Sequence, residues 1–199
     1  MFITIEGIDG SGKTTQAKLL AEYCESHNKN VLLTREPGGS DVSEKIRTIL
    51  LDPNLIISGR TELLLMVAAR SEHVSKTIKP FLEKGGVVIC ERFSDSTFAY
   101  QGYARNLDIS IIEVINNFAI DNLKPDLTLF FDHEPEITFS RLNNHDRMEL
   151  EGKEFQEKVR NGFKKIAIRE KKRFKVINVK DFNIEQVFEK VKKNVNCFF

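Results

Sequence analysis

Five short apolar runs recur along the chain, at Phe2 to Ile5, Val31 to Thr34, Gly86 to Cys90, Leu127 to Phe131 and Phe174 to Val179. Longer stretches between them carry apolar residues three and four apart. Apolar runs of four to six residues alternating with helical periodicity argue a parallel sheet covered on both faces. The expected class is therefore α/β, a parallel five-stranded sheet with helices on both sides. The helical patterns cover Lys13 to His27, Val42 to Leu51, Thr61 to Glu83, Ser110 to Asn122, Pro135 to Leu142, Glu154 to Arg169 and Ile184 to Asn194. Between the helical patterns that end at Leu142 and begin at Glu154 stands a polar stretch, Asn143 to Lys153, in which Met148 and Leu150 are isolated. It reads as a surface loop and a short mobile lid.

Composition narrows the picture. At 199 residues, 41% of them hydrophobic, the chain fits a single domain spanning residues 1–199 with a filled core. Thirty basic residues against twenty-nine acidic ones give a net charge of +1, so there is no global field for nucleic acid or an anionic membrane. Any anion site must be built locally. Three cysteines, Cys24, Cys90 and Cys197, form no C-x-x-C pair, as expected of a reduced cytoplasmic protein. Glu6 and Asp9 interrupt the apolar start, and no apolar stretch approaches the ~20 residues of a membrane span.

The first apolar run leads into Gly7-Ile8-Asp9-Gly10-Ser11-Gly12-Lys13-Thr14, which matches G-x-x-x-x-G-K-[ST] and opens a helical pattern. Glycines let successive N–H groups converge on an anion, Lys13 supplies a point charge to outer phosphates, and the Thr14 hydroxyl suits Mg²⁺. The expected ligand is a nucleoside triphosphate, and the expected sheet is of the P-loop NTP hydrolase type. Ligands of such sheets gather at the carboxyl ends of the strands. There the chain places Asp9, then Arg35-Glu36-Pro37-Gly38-Gly39, then Glu91-Arg92. Glu91 stands where a metal-organising carboxylate is needed, and Arg92 would face an anion beside it.

A second clue lies within Thr61 to Glu83. Leu63, Val67, Val74, Ile78 and Phe81 define an apolar stripe, and Arg70 falls on it, one turn after Met66. A charge on a buried face must be paired or aimed into a polar pocket. Two readings follow: a structural ion pair with Met66 in core, or a pocket wall for a flat heterocycle. Tyr100 and Gln101, within the polar and aromatic run from Ser94 to Tyr103, could contact a second ligand. The polar stretch and its approach add Arg141, His145, Asp146 and Arg147, and mobile arginines near a phosphate loop can close over transferring phosphate.

Taken together, Gly7 to Thr15, Thr34-Arg35-Glu36-Pro37-Gly38-Gly39, Ala68-Ala69-Arg70, Glu91-Arg92-Phe93 through Ala99-Tyr100-Gln101-Gly102, Pro125-Asp126-Leu127 and Asp146-Arg147-Met148-Glu149 resemble the bacterial thymidylate kinases along nearly the whole chain. The resemblance implies transfer of the γ-phosphoryl group of ATP to dTMP, with Mg²⁺, in dTTP biosynthesis, by a cytoplasmic homodimer. It implies ATP on Gly7, Ile8, Asp9, Gly10, Ser11, Gly12, Lys13, Thr14 and Thr15, and the metal near Thr14 and Glu91. It places the dTMP phosphate on Arg47 and Arg92, and thymine on Arg70 with Thr97, Gln101 and Met66 nearby. Asp9, Glu36 and Pro37 would approach the sugar side, and Tyr100 would crowd the ribose 2′ position. The catalytic arginine would be Arg141 or Arg147, alongside Lys13, Asp9 and Arg92.

Two positions depart from the family's pattern: Glu91 stands where an aspartate is usual, and Met66 where an aromatic residue often stands. The first would shift the metal, and the second would weaken stacking on the base. Three alternatives remain at this level. Another nucleoside monophosphate kinase would share the phosphate chemistry and differ in the base pocket. A GTP-binding switch would need N-K-x-D and D-x-x-G motifs, but Asn28-Lys29 is followed by Asn30-Val31 and the segment after Glu91 contains no such glycine. A non-catalytic nucleotide-binding module would not need Lys13, Thr14, Glu91 and Arg92 together.

Overall fold

The computed structural model describes residues 1–139 and 146–198. As expected, five parallel strands form one sheet: β1 (Phe2–Glu6), β2 (Val31–Arg35), β3 (Val87–Glu91), β4 (Leu127–Asp132) and β5 (Phe174–Asn178), in the order β2-β3-β1-β4-β5. β1 occupies the centre, so everything that follows its last residue emerges between the ends of β3 and β4.

The strands are apolar on both faces because helices cover both. Ile3, Ile5, Val87, Ile89, Leu127 and Leu129 pack against α1 (Lys13–Ser26) and α9 (Ile184–Val195). The α9 end is fixed by a capping box, Asn183 with Gln186. On the opposite face Phe2, Val88 and Cys90 meet Val74, Ile78 and Phe93, while Phe130 meets Tyr100, Phe163 and Phe174. Helices α2 (Asp41–Leu51), α3 (Gly59–His73), α4 (Lys79–Glu83), α5 (Ser94–Thr97), α6 (Ile109–Ala119), α7 (Pro135–Phe139) and α8 (Gly152–Arg169) complete the described helical structure, with two π-helical and two 3₁₀ turns.

The helix expected over Thr61 to Glu83 is interrupted. Its periodicity holds to His73, but Val74–Ile78 is a π-helical turn before α4. Pro80 supplies the cause: it lacks an N–H for the carbonyl four residues back and its ring crowds that carbonyl, and a widened turn relieves both. A second π-helical segment, Phe98–Ala104, carries Tyr100 and Gln101.

The stretch expected to be a surface loop is also different where it is described. Arg147 and Met148 are buried, Glu149–Glu151 forms a 3₁₀ turn, and α8 begins at Gly152. The anchor is Glu62 on α3, with no exposed surface. It accepts from Gln101 Nε2 at 2.8 Å and Arg105 Nη2 at 3.0 Å, and pairs with Arg147 Nη1 at 2.7 Å. The Arg105 hydrogen bond and its companions overcome burial and hold the Glu62 carboxyl below its usual range. Removing one partner of a buried ionic network strands the others. Glu62→Ala is therefore expected to lower unfolding free energy by about 3–5 kcal/mol in urea titrations; a loss below about 1 kcal/mol would reject Glu62 as the anchor.

Candidate active site

The sequence Gly7 to Thr14 forms the turn from β1 into α1. Gly12, with φ 88°, precedes the helix as its cap and offers no side-chain bond to the first N–H groups, and the first turn holds no acidic residue. Gly10, at φ 74°, lies so close to Thr138 that a Cβ would meet its carbonyl oxygen at 2.7 Å. The helix start is thus left as a nest of N–H groups with positive dipole, a ready anion site. Lys13 is buried beside it, its Nζ donating to Ile8 O at 2.8 Å and standing 4.0 Å from both Asp9 and Glu91. Burial, reinforced by Arg92, pulls its pKa down to about 8, so a polyanion placed here would restore its charge.

Thr14 Oγ1 donates to Glu91 Oε2 at 2.8 Å. A hydroxyl and a carboxylate oxygen, adjacent and accessible, form a hard-oxygen donor pair that suits Mg²⁺. The residues present fit that ion.

Arg92 follows Glu91 with φ 68°, a left-handed conformation that costs a non-glycine residue about 1–3 kcal/mol. It turns the guanidinium back under the phosphate loop, where Nη1 donates to Gly7 O at 2.9 Å and Nη2 to Asp9 Oδ1 at 2.5 Å. Its ring neighbour is Tyr100, 5.0 Å from guanidinium to centroid. Burial opposes the Asp9 charge, but Arg92 and Lys13 win and keep that carboxyl low.

Beside these groups opens a cleft of about 580 Å³. It is lined by Asp9, Glu36, Pro37, Arg47, Met66, Arg70, Arg92, Thr97, Tyr100 and Gln101, joined by Leu51, Ser96, Asp146 and Met148. Residues from five segments distant in sequence thus converge on one wall. Arg47 donates from Nη1 to Pro37 O at 2.8 Å, which leaves most of its fork unused.

Arg70 satisfies both readings of its position. It is 2% exposed, and it lines the cleft while being paired. Nε donates to Glu36 Oε2 at 2.7 Å, Nη1 to Thr97 Oγ1 at 2.6 Å and Asn116 Oδ1 at 2.7 Å, and Nη2 to Phe93 O at 3.0 Å. These bonds leave one Nη2 hydrogen of the five guanidinium donors. Glu36, His73 and Cys90 bring ligand-type atoms within 4.8 Å of one another. The Glu36 oxygens already serve Arg70 and His73, and the Cys90 thiol, which burial and then Glu36 push up, donates to Arg92 O at 3.0 Å. That set is a hydrogen-bonded core rather than a metal centre.

Of the two expected lid arginines, Arg147 is described, and it is held at Glu62. Arg147 pairs with Glu62 and donates to Leu50 O at 2.8 Å and to the Met148 sulfur, so in this structure its guanidinium serves the buried charge of Glu62. Arg141, like His145, lies outside the described residues.

Sequence reasoning missed Glu6. It ends β1, has no exposed surface, and accepts from Phe93 N at 2.8 Å and Ser96 Oγ at 2.6 Å beneath the cleft. Its signal was a carboxylate closing an otherwise apolar central strand. His73 and Asn116, which surround Arg70, left no local signal.

This sheet order with a phosphate loop after the central strand, Lys13 beneath it and an arginine-rich acceptor cleft defines a nucleotide kinase of the P-loop class. Residues 5–191 match the family model for thymidylate kinase. The thymidylate kinase of Thermosipho africanus is 47% identical over 98% of this chain and 97% of its own length, and that of Clostridium novyi 44% identical over 96% of each. A crystal structure of thymidylate kinase from Ehrlichia chaffeensis superposes with a TM-score of 0.81, at 42% identity and 98% coverage of both chains. The chain belongs to the thymidylate kinase family.

Burial, helped by Asp95, raises the Glu6 pKa from 4.5 to about 7 against the pull of Ser96, Arg92 and the Phe93 amide. The folded state therefore holds this proton where the unfolded chain has lost it, and stability falls as pH rises from about 4.5 to about 7. Glu6→Gln, which imitates the protonated acid, is expected to gain stability over the parent steadily between pH 5 and 8 in urea titrations. A constant difference across that range would show that Glu6 does not titrate in the fold.

Proposed function

We propose that the protein transfers the γ-phosphoryl group of ATP to dTMP, giving ADP and dTDP. The observation that carries this reading is the cleft beside the phosphate loop, whose lining brings Arg47 and Arg92, suited to a phosphate, together with Met66 and the buried guanidinium of Arg70. Family membership supports the same acceptor. The loop amides from Gly7 to Thr15 and Lys13 hold the donor triphosphate. Arg47 and Arg92 take the acceptor phosphate, Met66 lies along the base, and the remaining Nη2 hydrogen of Arg70 reads a base carbonyl. Glu36, Pro37 and Asp9 border the sugar, with Thr97 and Gln101 behind the base and Tyr100 against the ribose.

In the reaction an acceptor phosphate oxygen forms a bond to the γ-phosphorus as its bond to the β,γ-bridging oxygen breaks. Since the nucleophile is already ionised, little proton removal is needed, and the task is to hold two polyanions in line. Lys13 and Arg92, both facing Asp9 Oδ1, offset their repulsion. Thr14 and Glu91 would hold Mg²⁺, which supplies charge neutralisation on the transferring group when bound.

The test is ADP release with Mg-ATP against dTMP, dUMP, dGMP, GMP, CMP and AMP, with Lys13→Ala as comparison. Strong preference for dTMP is expected, with turnover lower by about 10²–10³-fold or more in the folded Lys13→Ala variant. Arg70→Ala is expected to raise the dTMP KM far more than the ATP KM. Preference for another monophosphate would discard the acceptor assignment, and full activity of Lys13→Ala would discard the phosphate-loop assignment.

The reading extends to a homodimer. Ile111, Val114 and Phe118 repeat along one exposed side of α6, and Leu64 is exposed on neighbouring α3. A second copy of the chain is the partner proposed for this exposed apolar stripe. Val114→Glu is expected to convert a dimer to a monomer in sedimentation velocity; an unchanged dimer would place the interface elsewhere.

A further inference from the structure

Glu36 does not meet Arg70 alone. Its other oxygen, Oε1, lies 3.1 Å from His73 Nδ1, and the far nitrogen of that imidazole lies 2.8 Å from Thr34 Oγ1. His73 has no exposed surface and stands three residues after Arg70 on α3. A carboxylate can only accept, so Nδ1 carries a proton and donates to Glu36; with the ring assigned as the Nδ1–H tautomer, Nε2 accepts from the threonine hydroxyl. The neutral tautomer satisfies both bonds.

The loop is built around this ring. Gly39, at φ 82°, passes so close that a Cβ would stand 2.3 Å from His73 Nε2 and 2.7 Å from Thr34 Oγ1. Thr77 Oγ1 donates to Gly39 O at 2.8 Å from the π-helical turn. Thr34, His73, Glu36 and Arg70 therefore form one chain of hydrogen bonds from the end of β2 to the cleft.

The pairing of Arg70 with Glu36 runs from Nε to one oxygen, a geometry that fixes a distance but not the carboxylate plane. The second oxygen must be held from elsewhere, and His73 is the group that holds it. We infer that His73 is a positioning residue for acceptor recognition: it locks Glu36 so that Arg70 keeps its free hydrogen aimed at the base. The inference rests on the reading of the cleft as the acceptor-nucleotide site.

Three variants test it, with KM for dTMP and ATP, kcat, calorimetric dTMP Kd and thermal midpoint measured for each. His73→Gln keeps a group near the Nε2 position and loses the Nδ1 donor. It is expected to raise the dTMP KM and Kd about tenfold, the scale of one lost hydrogen bond to a charged group, with ATP KM and kcat within about twofold. His73→Asn places its amide near Nδ1 and is expected to recover most of the affinity. Thr34→Val, which only frees the imidazole, is expected to shift dTMP affinity the same way by less. Equal losses in His73→Gln and His73→Asn, or parallel increases in both KM values, would make His73 merely structural and overturn the inference. Should Arg70→Ala raise the dTMP KM while His73→Gln does not, this inference fails and the cleft assignment stands; should neither move it, the cleft assignment fails as well.

Discussion

A guanidinium buried beneath the acceptor cleft constrains more of this molecule than any other group. An unpaired charge there would cost several kcal/mol, so every neighbour of Arg70 must be an acceptor held at hydrogen-bonding distance. The fold supplies Glu36 from the loop after β2, the Phe93 carbonyl after β3, Thr97 from α5 and Asn116 from α6. Four segments that share no contact in sequence are thereby fixed relative to one another. The same bonds align the walls of the cleft. Preorganisation and stability come from one set of interactions, because the charge is satisfied only when the wall is in place.

The phosphate side is organised differently. There the cost is burial rather than missing partners: Lys13 is depressed to about 8 chiefly by burial and then by Arg92, although Asp9 and Glu91 stand 4.0 Å away, and Arg92 adopts a left-handed backbone to reach Gly7 and Asp9. These are costs borne by the protein alone. A bound polyanion would relieve the first by restoring the favourable charge balance, so free energy withheld from folding is available for binding phosphate. Glu6 follows the same rule from the acid side: burial beneath the same loop, helped by Asp95, disfavours its charged form and pushes its pKa up to about 7.

How far the sequence could reveal this depends on whether the signal is local. The five strands and most helices were legible because burial on two faces writes apolar runs and three-four spacing directly into neighbouring residues. The phosphate loop was legible because its glycines, Lys13 and Thr14 are contiguous. The break at Val74–Ile78 was not read although Pro80 marks it, since the apolar stripe continues through it. The family's motifs carried the cleft residues Glu36, Arg70 and Tyr100 as strings, yet they gave no sign that His73 and Asn116 complete the surroundings of Arg70. Those contacts depend on how α3 and α6 pack. Arg147 shows the same limit, because its partner Glu62 lies far along the chain and a charged residue in a polar stretch looks solvated until the partner is seen.

Arg70 also shows why a choice between structural and functional readings of a buried charge is often a false one. Satisfying the charge takes most of its hydrogen-bonding capacity, and what is left over is directional because the rest is fixed. A guanidinium with all five donors free would bind any acceptor and hold no orientation; one with none free would recognise nothing. With one Nη2 hydrogen remaining beside the apolar side of Met66, Arg70 offers a planar ligand a single aligned bond, and its discrimination is set by how rigidly Glu36, Thr97 and Asn116 hold the other end. On the proposed reading of the cleft, specificity would therefore reside as much in the residues that hold Arg70 as in the arginine itself.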